Sequence, residues 1–507
     1  MPMSTSPNIL LTTLNARYMH TAFGLRYLYA NMGALQDQTQ IIEFTLQELP
    51  INIVEQLLSH QPKIIGFSVY IWNVSEVSKV IAMLKQIAPD VKIVLGGPEV
   101  SHQPDVPSIA DSADFIISGP GEQTFPELCQ QILDDDISQS HYIEGKALAL
   151  DELTMPYQYY TDEDIRNRLI YVEASRGCPF KCEFCLSSLD KTAKAFSIDP
   201  FLAEMDLLLE RGVRNFKFID RTFNLKIATS IKILEFFLAR MTDDLYLHFE
   251  VVPDHLPDKL KEILKRFPTN SLQFEIGVQT FDPDIQNLIS RKQNNDKTKE
   301  NLIWLRENTG AHLHTDLIFG LPSDALDNFA GSFNQLIALK PHEIQLGILK
   351  RLRGAPLNRH TDSYQLRYNP EAPYNILSTS NITFQEMQVV NRFARFWDMI
   401  GNSGRFANTL PLILADNAFE RFMQLSEQLY QLAGSSWKIS LKRQFELIYI
   451  ILTSHFELDS ETVKAVLTED YQRNKIKGRP NYQSPDNQVK TPRVGIANKR
   501  QQLHQSH

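Results

Sequence analysis

The stretch LIYVEASRGCPFKCEFCLSS, residues 169–188, decides how this chain is read. An apolar run over 169–175 reads as a strand, and Gly177 turns the chain out of it. Three cysteines follow in a C-x3-C-x2-C spacing, Cys178, Cys182 and Cys185. Three thiolates can hold three irons of a cubane 4Fe–4S cluster and leave the fourth iron open to a small ligand. Structural zinc takes four protein ligands, and a cluster held entirely by cysteine needs a fourth residue as well. Cys129 is the only other cysteine in the chain, and it lies far upstream. The alternative is a zinc site completed by a distant histidine. The preceding strand, the Gly177 turn, the aromatic Phe184 before the last cysteine and the sequence that follows argue against it.

Downstream, apolar strand-like runs recur at 215–220, 245–252, 272–279, 312–320 and 343–350, separated by helical patterns such as PFLAEMDLLLERG over 200–212. With the run before the cysteines they make six units. They predict a partial (β/α)6 barrel over 169–357, with its reactive groups on loops at the carboxyl ends of the strands. Those ends carry Asp220, Glu250, Gln279, Asp316, Gly320 and Pro322. Each of these residue types also serves as an ordinary helix cap or turn residue.

The cysteine motif resembles that of the radical S-adenosylmethionine (SAM) enzymes, in which the last two cysteines flank an aromatic residue as Cys182 and Cys185 flank Phe184. The resemblance implies that SAM chelates the open iron and is cleaved reductively to methionine and a 5′-deoxyadenosyl radical. The later strand ends look like those of the branch that includes coproporphyrinogen dehydrogenase-like and cobalamin-dependent members. By that resemblance Phe184, Asp220, Glu250, Gln279 and Asp316 contact SAM or substrate, and the turn at Gly320 and Pro322 brings backbone close to the adenine. An electron donor such as flavodoxin or ferredoxin is implied with them.

Upstream of the cysteines, strand-like runs at 8–15, 41–46, 63–70, 92–99 and 113–119 alternate with helical patterns. They predict a doubly wound parallel sheet over 1–135, with a ligand site beyond the carboxyl strand ends. Residues 136–168 read as a linker. Glycine lets backbone approach a ligand closely, and two glycine signals end strands here, Gly96-Gly97-Pro98 and Gly119-Pro120-Gly121-Glu122. Ser68, Tyr70, Trp72 and Asn73 follow the third strand at the same edge. The fingerprint G-x-G-x-x-G is absent, which excludes an ordinary nicotinamide site. The phrases IIGFSVYIWN, VLGGPEV and ADFIISGPGEQTF together look like the cobalamin-binding domain that precedes many radical SAM cores. The resemblance implies a cobalamin across this edge, against Ser68, Tyr70, Gly96, Gly97, Pro98, Gly119, Gly121 and Glu122. The D-x-H-x-x-G motif that supplies histidine to cobalt in mutases is missing, and His20 is expected in a surface or helix-start role. A degenerate domain that binds no corrin is the alternative. Cys129 reads as a small buried hydrophobe.

From 358 the alternation stops. Residues 358–470 read as a mostly α-helical domain, with Phe393, Phe396 and Trp397 as core, and 471–507 as a basic polar tail. This region resembles an uncharacterised domain attached to some cobalamin-type radical SAM proteins. The 507 residues carry a net charge of −9, which gives no broad electrostatic reason to bind nucleic acid. No segment is apolar and long enough to span a membrane, and no signal peptide opens the chain. A cytoplasmic location is therefore expected. The leading expectation is a cobalamin-dependent radical SAM enzyme, with methyl transfer to an unactivated carbon or phosphorus as the commonest implied reaction. A methylthiotransferase acting on tRNA or protein would need further cysteines for a second cluster. A cobalamin- or redox-sensing binding protein is the non-catalytic alternative. The substrate is not written in these motifs.

Overall fold

The computed structural model describes residues 7–478 and 480–483, so Arg479, Lys490, Arg493, Lys499 and Arg500 of the expected basic tail lie outside the described residues. The chain divides into two compact units, one running to Asn391 and one starting at Arg392.

In the first unit, β1 (Ile9–Asn15), β2 (Thr39–Thr45), β3 (Ile64–Ser68), β4 (Lys92–Gly96), β5 (Phe115–Ser118) and β6 (Tyr142–Glu144) form one parallel sheet. Its order is β2-β1-β3-β4-β5-β6. Every residue of β1 is buried, as a central strand covered on both faces must be. Helices α2 (Pro50–Ser59) and α3 (Val74–Ile87) bury Ile53, Leu57, Val77 and Ile81 against Leu10, Phe67 and Leu95 on one face. Helices α1 (Phe23–Ala30) and α4 (Thr124–Leu133) bury Leu25, Phe125 and Cys129 against Ile9, Leu11 and Val94 on the other. The strand order reverses between β1 and β3, and a doubly wound sheet opens a ligand crevice at such a point.

Residues 136–168, expected as a linker, are integral to this fold. They supply β6 and a short helix, α5 (Asp162–Asn167), which Thr161 and Asp164 cap reciprocally. Asp164 accepts from Arg26 at 2.8 Å, and Arg26 also pairs with Glu43 at 2.7 Å, all three largely buried. A three-residue strand and a single buried carboxylate leave no periodic trace in the sequence, which is why the segment reads as a linker.

The second sheet is again parallel, in the order β14-β13-β12-β11-β10-β7. Its strands are β7 (Ile170–Val172), β10 (Asn215–Phe218), β11 (Tyr246–Val251), β12 (Leu272–Gln279), β13 (His312–Phe319) and β14 (Glu343–Ile348). A small antiparallel pair, β8 (Ser175–Arg176) and β9 (Lys194–Ala195), brackets the cysteine loop. Crossovers run through α6 (Ile198–Glu210), α7 (Ile227–Leu238), α8 (Asp258–Leu264), α9 (Pro283–Leu288), α10 (Asn295–Asn308) and α11 (Leu326–Ala338). This is the expected partial barrel, with β7 and β14 as its edges. Buried, mostly apolar residues alternate with half-buried, mostly polar ones along β12 and β13. The polar face aligns Tyr171, Lys217 and His248 across three strands, and Glu275, His314 and Glu343 across the other three. Closed barrels fill this interior with branched apolar side chains; here it is a charged, hydrogen-bonded surface.

Residues beyond 357, expected in the helical domain, still belong to the first unit up to Asn391, including the pair β15 (Arg367–Tyr368) and β16 (Ile376–Ser378). Helix α12 (Phe384–Ile400) leads into the second unit, which holds α13 (Leu410–Leu414), α14 (Ala418–Ala433), α15 (Leu441–Ile450) and α16 (Ser460–Arg473). There Phe393, Phe396 and Trp397 are buried core residues, and the Trp397 ring meets Phe422 edge-on.

Candidate active site

Two cavities open at the carboxyl ends of the two sheets. The smaller, about 270 Å³, is walled by Cys178, Cys182, Cys185, Phe180 and Phe184. The loop that carries the cysteines is held by backbone bonds: Cys178 N–H donates to Asp190 at 2.9 Å, and Glu183 N–H to Ile289 at 3.0 Å. Arg291 points a guanidinium nitrogen at the Cys182 sulfur, 3.7 Å away. Burial pushes the Cys178 and Cys182 thiols up, so taking up iron has to release their protons. Among the described residues no three His, Cys, Asp or Glu side chains are grouped to hold a single metal ion. Cys129 is fully buried in the first sheet's core and cannot reach the trio. Three thiols around one cavity, with no fourth His, Cys, Asp or Glu grouped with them among the described residues, fit a 4Fe–4S cluster with one open iron.

Glu250, Gln279 and Asp316 stand on the same wall. A bulge in β12 between Gly277 and Gln279 puts Gln279 at φ +69°, and its Oε1 is buried without a hydrogen-bond partner. Asp316 Oδ1 is likewise buried without a hydrogen-bond partner, with His314 Nε2 3.8 Å away. Burial, then the charges of Glu275 and Glu250, push the Asp316 carboxyl up to about 8. Two orphaned polar atoms facing one cavity are what a polar ligand such as SAM would satisfy. Glu250 is already engaged by Arg221 at 3.0 Å.

The other expected SAM contacts lie elsewhere. Asp220 is buried off the cavity wall and accepts from Ala174 N–H at 3.0 Å and Ser175 Oγ at 2.6 Å, locking the strand end before the cysteines. Gly320 and Pro322 are also off the wall; Gly320 N–H donates to Asp324 at 3.1 Å. The sequence shows that these residues end strands but not which way they face.

The larger cavity, about 800 Å³, opens at the switch point of the first sheet. Ser68, Tyr70, Gly96, Gly97, Gly119, Gly121 and Glu122 all line it, and Pro98 does not. Tyr70 and Trp72 stack at 4.3 Å between centroids. Gly97 has φ +103°, and a Cβ there would stand 2.5 Å from the Val69 carbonyl oxygen, so only glycine fits. Asn73 is spent on scaffold, donating to Thr13, Leu14 and Ser68. Tyr171 of β7, Arg176 of β8 and Arg221 after β10 also line it. Glu122 pairs across with Arg176 at 2.7 Å. His20 is neither a helix cap nor a surface residue: it is half-buried on this wall, and its Nδ1 meets the Tyr171 hydroxyl at 2.6 Å. Tertiary proximity alone shows this.

Arg221 lines both cavities, which therefore meet at its side chain. Sequence reading missed Arg221, Arg291 and Glu183. Glu183, inside the cysteine motif, had the clearest signal: a carboxylate between two cluster ligands.

Fold and cavities define an α/β protein with two adjoining cavities at the carboxyl ends of its two sheets. Three family models match along the chain: the B12 binding domain over 9–129, the radical SAM superfamily over 172–336, and the protein of unknown function DUF4080 over 362–505. The chain thus carries a B12 binding domain followed by a radical SAM domain. It is 26% identical over 370 residues to the cobalamin-dependent radical SAM methyltransferase TokK of Streptomyces tokunonensis, a match covering 65% of this chain and 52% of TokK. The chain spans about half the length of the curated relatives it matches. The solved cobalamin-dependent SAM radical enzyme OxsB superposes with a TM-score of 0.63 at 16% identity, over 92% of this chain and 80% of OxsB. The radical SAM methyltransferase TsrM of Kitasatospora setae, solved with cobalamin and a 4Fe–4S cluster, gives 0.55 at 16% identity, over 71% of this chain and 80% of TsrM. These structural likenesses are of fold. No helix among the described residues is long and apolar enough to cross a membrane.

Proposed function

We propose that the protein is a cobalamin-dependent radical SAM methyltransferase acting on an unactivated centre of an organic substrate. The observation that carries this reading is the shared Arg221 wall: a cavity ringed by three cysteines adjoins a large cavity at the switch point of a B12-type sheet. When bound, the reduced cluster supplies the electron that cleaves SAM, and cobalamin supplies the methyl carrier.

The chain's own groups bind, orient and shield. Cys178, Cys182 and Cys185 hold three irons, and Arg291 steadies the Cys182 sulfur. Gln279 and Asp316 offer polar atoms with unused hydrogen-bonding capacity to the amino or ribose groups of SAM; with a pKa near 8, Asp316 can donate as well as accept at neutral pH. Phe180 and Phe184 keep water from the cluster. Gly97, whose missing side chain lets its turn pack on the Val69 backbone, shapes the edge a corrin would lie against, and the Tyr70–Trp72 stack gives it a flat neighbour. An electron donor of the flavodoxin or ferredoxin type and a reducing, cytoplasmic setting complete the proposal; all four cysteines are free thiols.

The test is anaerobic reconstitution with iron and sulfide, then dithionite and SAM, followed by an assay for 5′-deoxyadenosine. The expected outcome is 5′-deoxyadenosine that disappears in Cys182→Ala, together with retention of hydroxocobalamin through gel filtration. Zinc in place of a cluster, or no retained cobalamin, overturns the reading.

A further inference from the structure

We infer that the segment 351–360 is a strap that couples the two cofactor sites, with Arg353 on the strap and Glu183 on the cysteine loop as the positioning residues; this rests on the two-cofactor reading above. One end of the segment is pinned to the β4 loop of the larger cavity. Arg353 Nε donates to Glu99 at 2.9 Å and its Nη1 to Asp105 at 2.5 Å, while Arg351 reaches the other Asp105 oxygen at 2.6 Å. Glu99 is 3% exposed and stands two residues after Gly97, which lines that cavity. Gly354 packs flat on His102 of the same loop: at φ +75°, a Cβ there would come 2.3 Å from the imidazole.

The other end is pinned to the cysteine loop. The Glu183 carboxylate accepts from Arg359 Nε at 2.9 Å, Arg359 Nη2 at 2.8 Å and Ser290 Oγ at 2.7 Å, and meets His360 Nε2 at 3.0 Å. The Glu183 carbonyl takes Leu357 N–H at 2.9 Å. Glu183 lies directly between Cys182 and Phe184. Between the two ends the strap is stiff: Ala355 N–H and the Asn358 amide both donate to the Leu352 carbonyl, at 3.2 and 2.9 Å. A buried, several-bonded carboxylate holds its geometry far better than an exposed pair. A ligand that orders the β4 loop therefore also orders the cysteine loop, and the reverse follows by reciprocity.

The experiment measures the Kd of hydroxocobalamin for the full-length protein with and without a loaded cluster, iron content being checked in each sample. The expected result is a cobalamin Kd about fivefold tighter with the cluster present, within the usual range for coupled sites. In Arg353→Met and in Glu183→Gln this ratio collapses to about one. A merely structural clasp would shift both Kd values together and leave the ratio intact. If Glu183→Gln fails to load a cluster, Arg353→Met, remote from the cysteines, and Arg359→Met, at the strap's exposed edge, decide the matter. A wild-type ratio of one, or a ratio unchanged in the variants, overturns the strap alone. Failure of the wild-type protein to take up cobalamin or cluster overturns the functional reading, and the strap with it.

Discussion

Asp220 was expected among the contacts to SAM or substrate, and the structure places it off the wall of the cysteine cavity. Its position at the end of β10 was legible, and so was its polarity. Its burial was not, nor its use in tying Ala174 and Ser175 behind the cysteines. Burial, opposed by those two hydrogen bonds, pushes its carboxyl up to about 7. Between the usual carboxylate range and pH 7 the folded protein therefore binds more protons than the unfolded chain. Stability contributed by this group is present at low pH and is lost as pH rises toward 7. Urea titrations of the unloaded protein between pH 5 and about 8 should show this fall, and Asp220→Asn should flatten it. A variant with the wild-type slope would assign the pH dependence to other groups. Gln279 and Asp316, by contrast, do face the cysteine cavity, because one bulge and one strand phase bring them there.

At the scale of elements, the glycine turn after β4 decides whether a corrin can lie on the first sheet. Gly97→Ala puts a methyl against the Val69 carbonyl at a positive φ, a strain of about 1–3 kcal/mol that can be relieved only by moving the loop. The expected outcome is a protein with unchanged far-ultraviolet circular dichroism that no longer retains hydroxocobalamin through gel filtration. Retention equal to wild type would place the corrin away from this turn. Long elements with clear periodicity, such as β1, α3 and β12, stood out in the sequence. The three-residue β6 and the 351–360 strap did not, since each is defined by partners far along the chain. The strap in fact straddles the boundary at 357 that loss of strand–helix alternation suggested.

For the whole molecule, the consequence of two adjoining sites is linkage. A ligand that binds only the folded form, supplied at about 100 times its Kd, adds about 2.7 kcal/mol of stability. Hydroxocobalamin at that excess should raise the melting temperature of the protein. No shift at saturating cobalamin would mean that the cavity above the first sheet does not take corrin.

The amino-acid sequence by itself determined the class of this protein. Motif spacing and strand–helix alternation are local signals, readable wherever the chain is, and they specify three cysteines at a strand end, a doubly wound sheet before them and a partial barrel after. Only the tertiary structure decided which strand-end groups line a cavity, that Arg221 joins the two cavities, that His20 meets Tyr171, and that one segment bonds to both Glu99 and Glu183. Those facts depend on contacts between residues up to about 250 positions apart. No periodicity or spacing along the chain encodes such contacts; they exist only once the two sheets have packed.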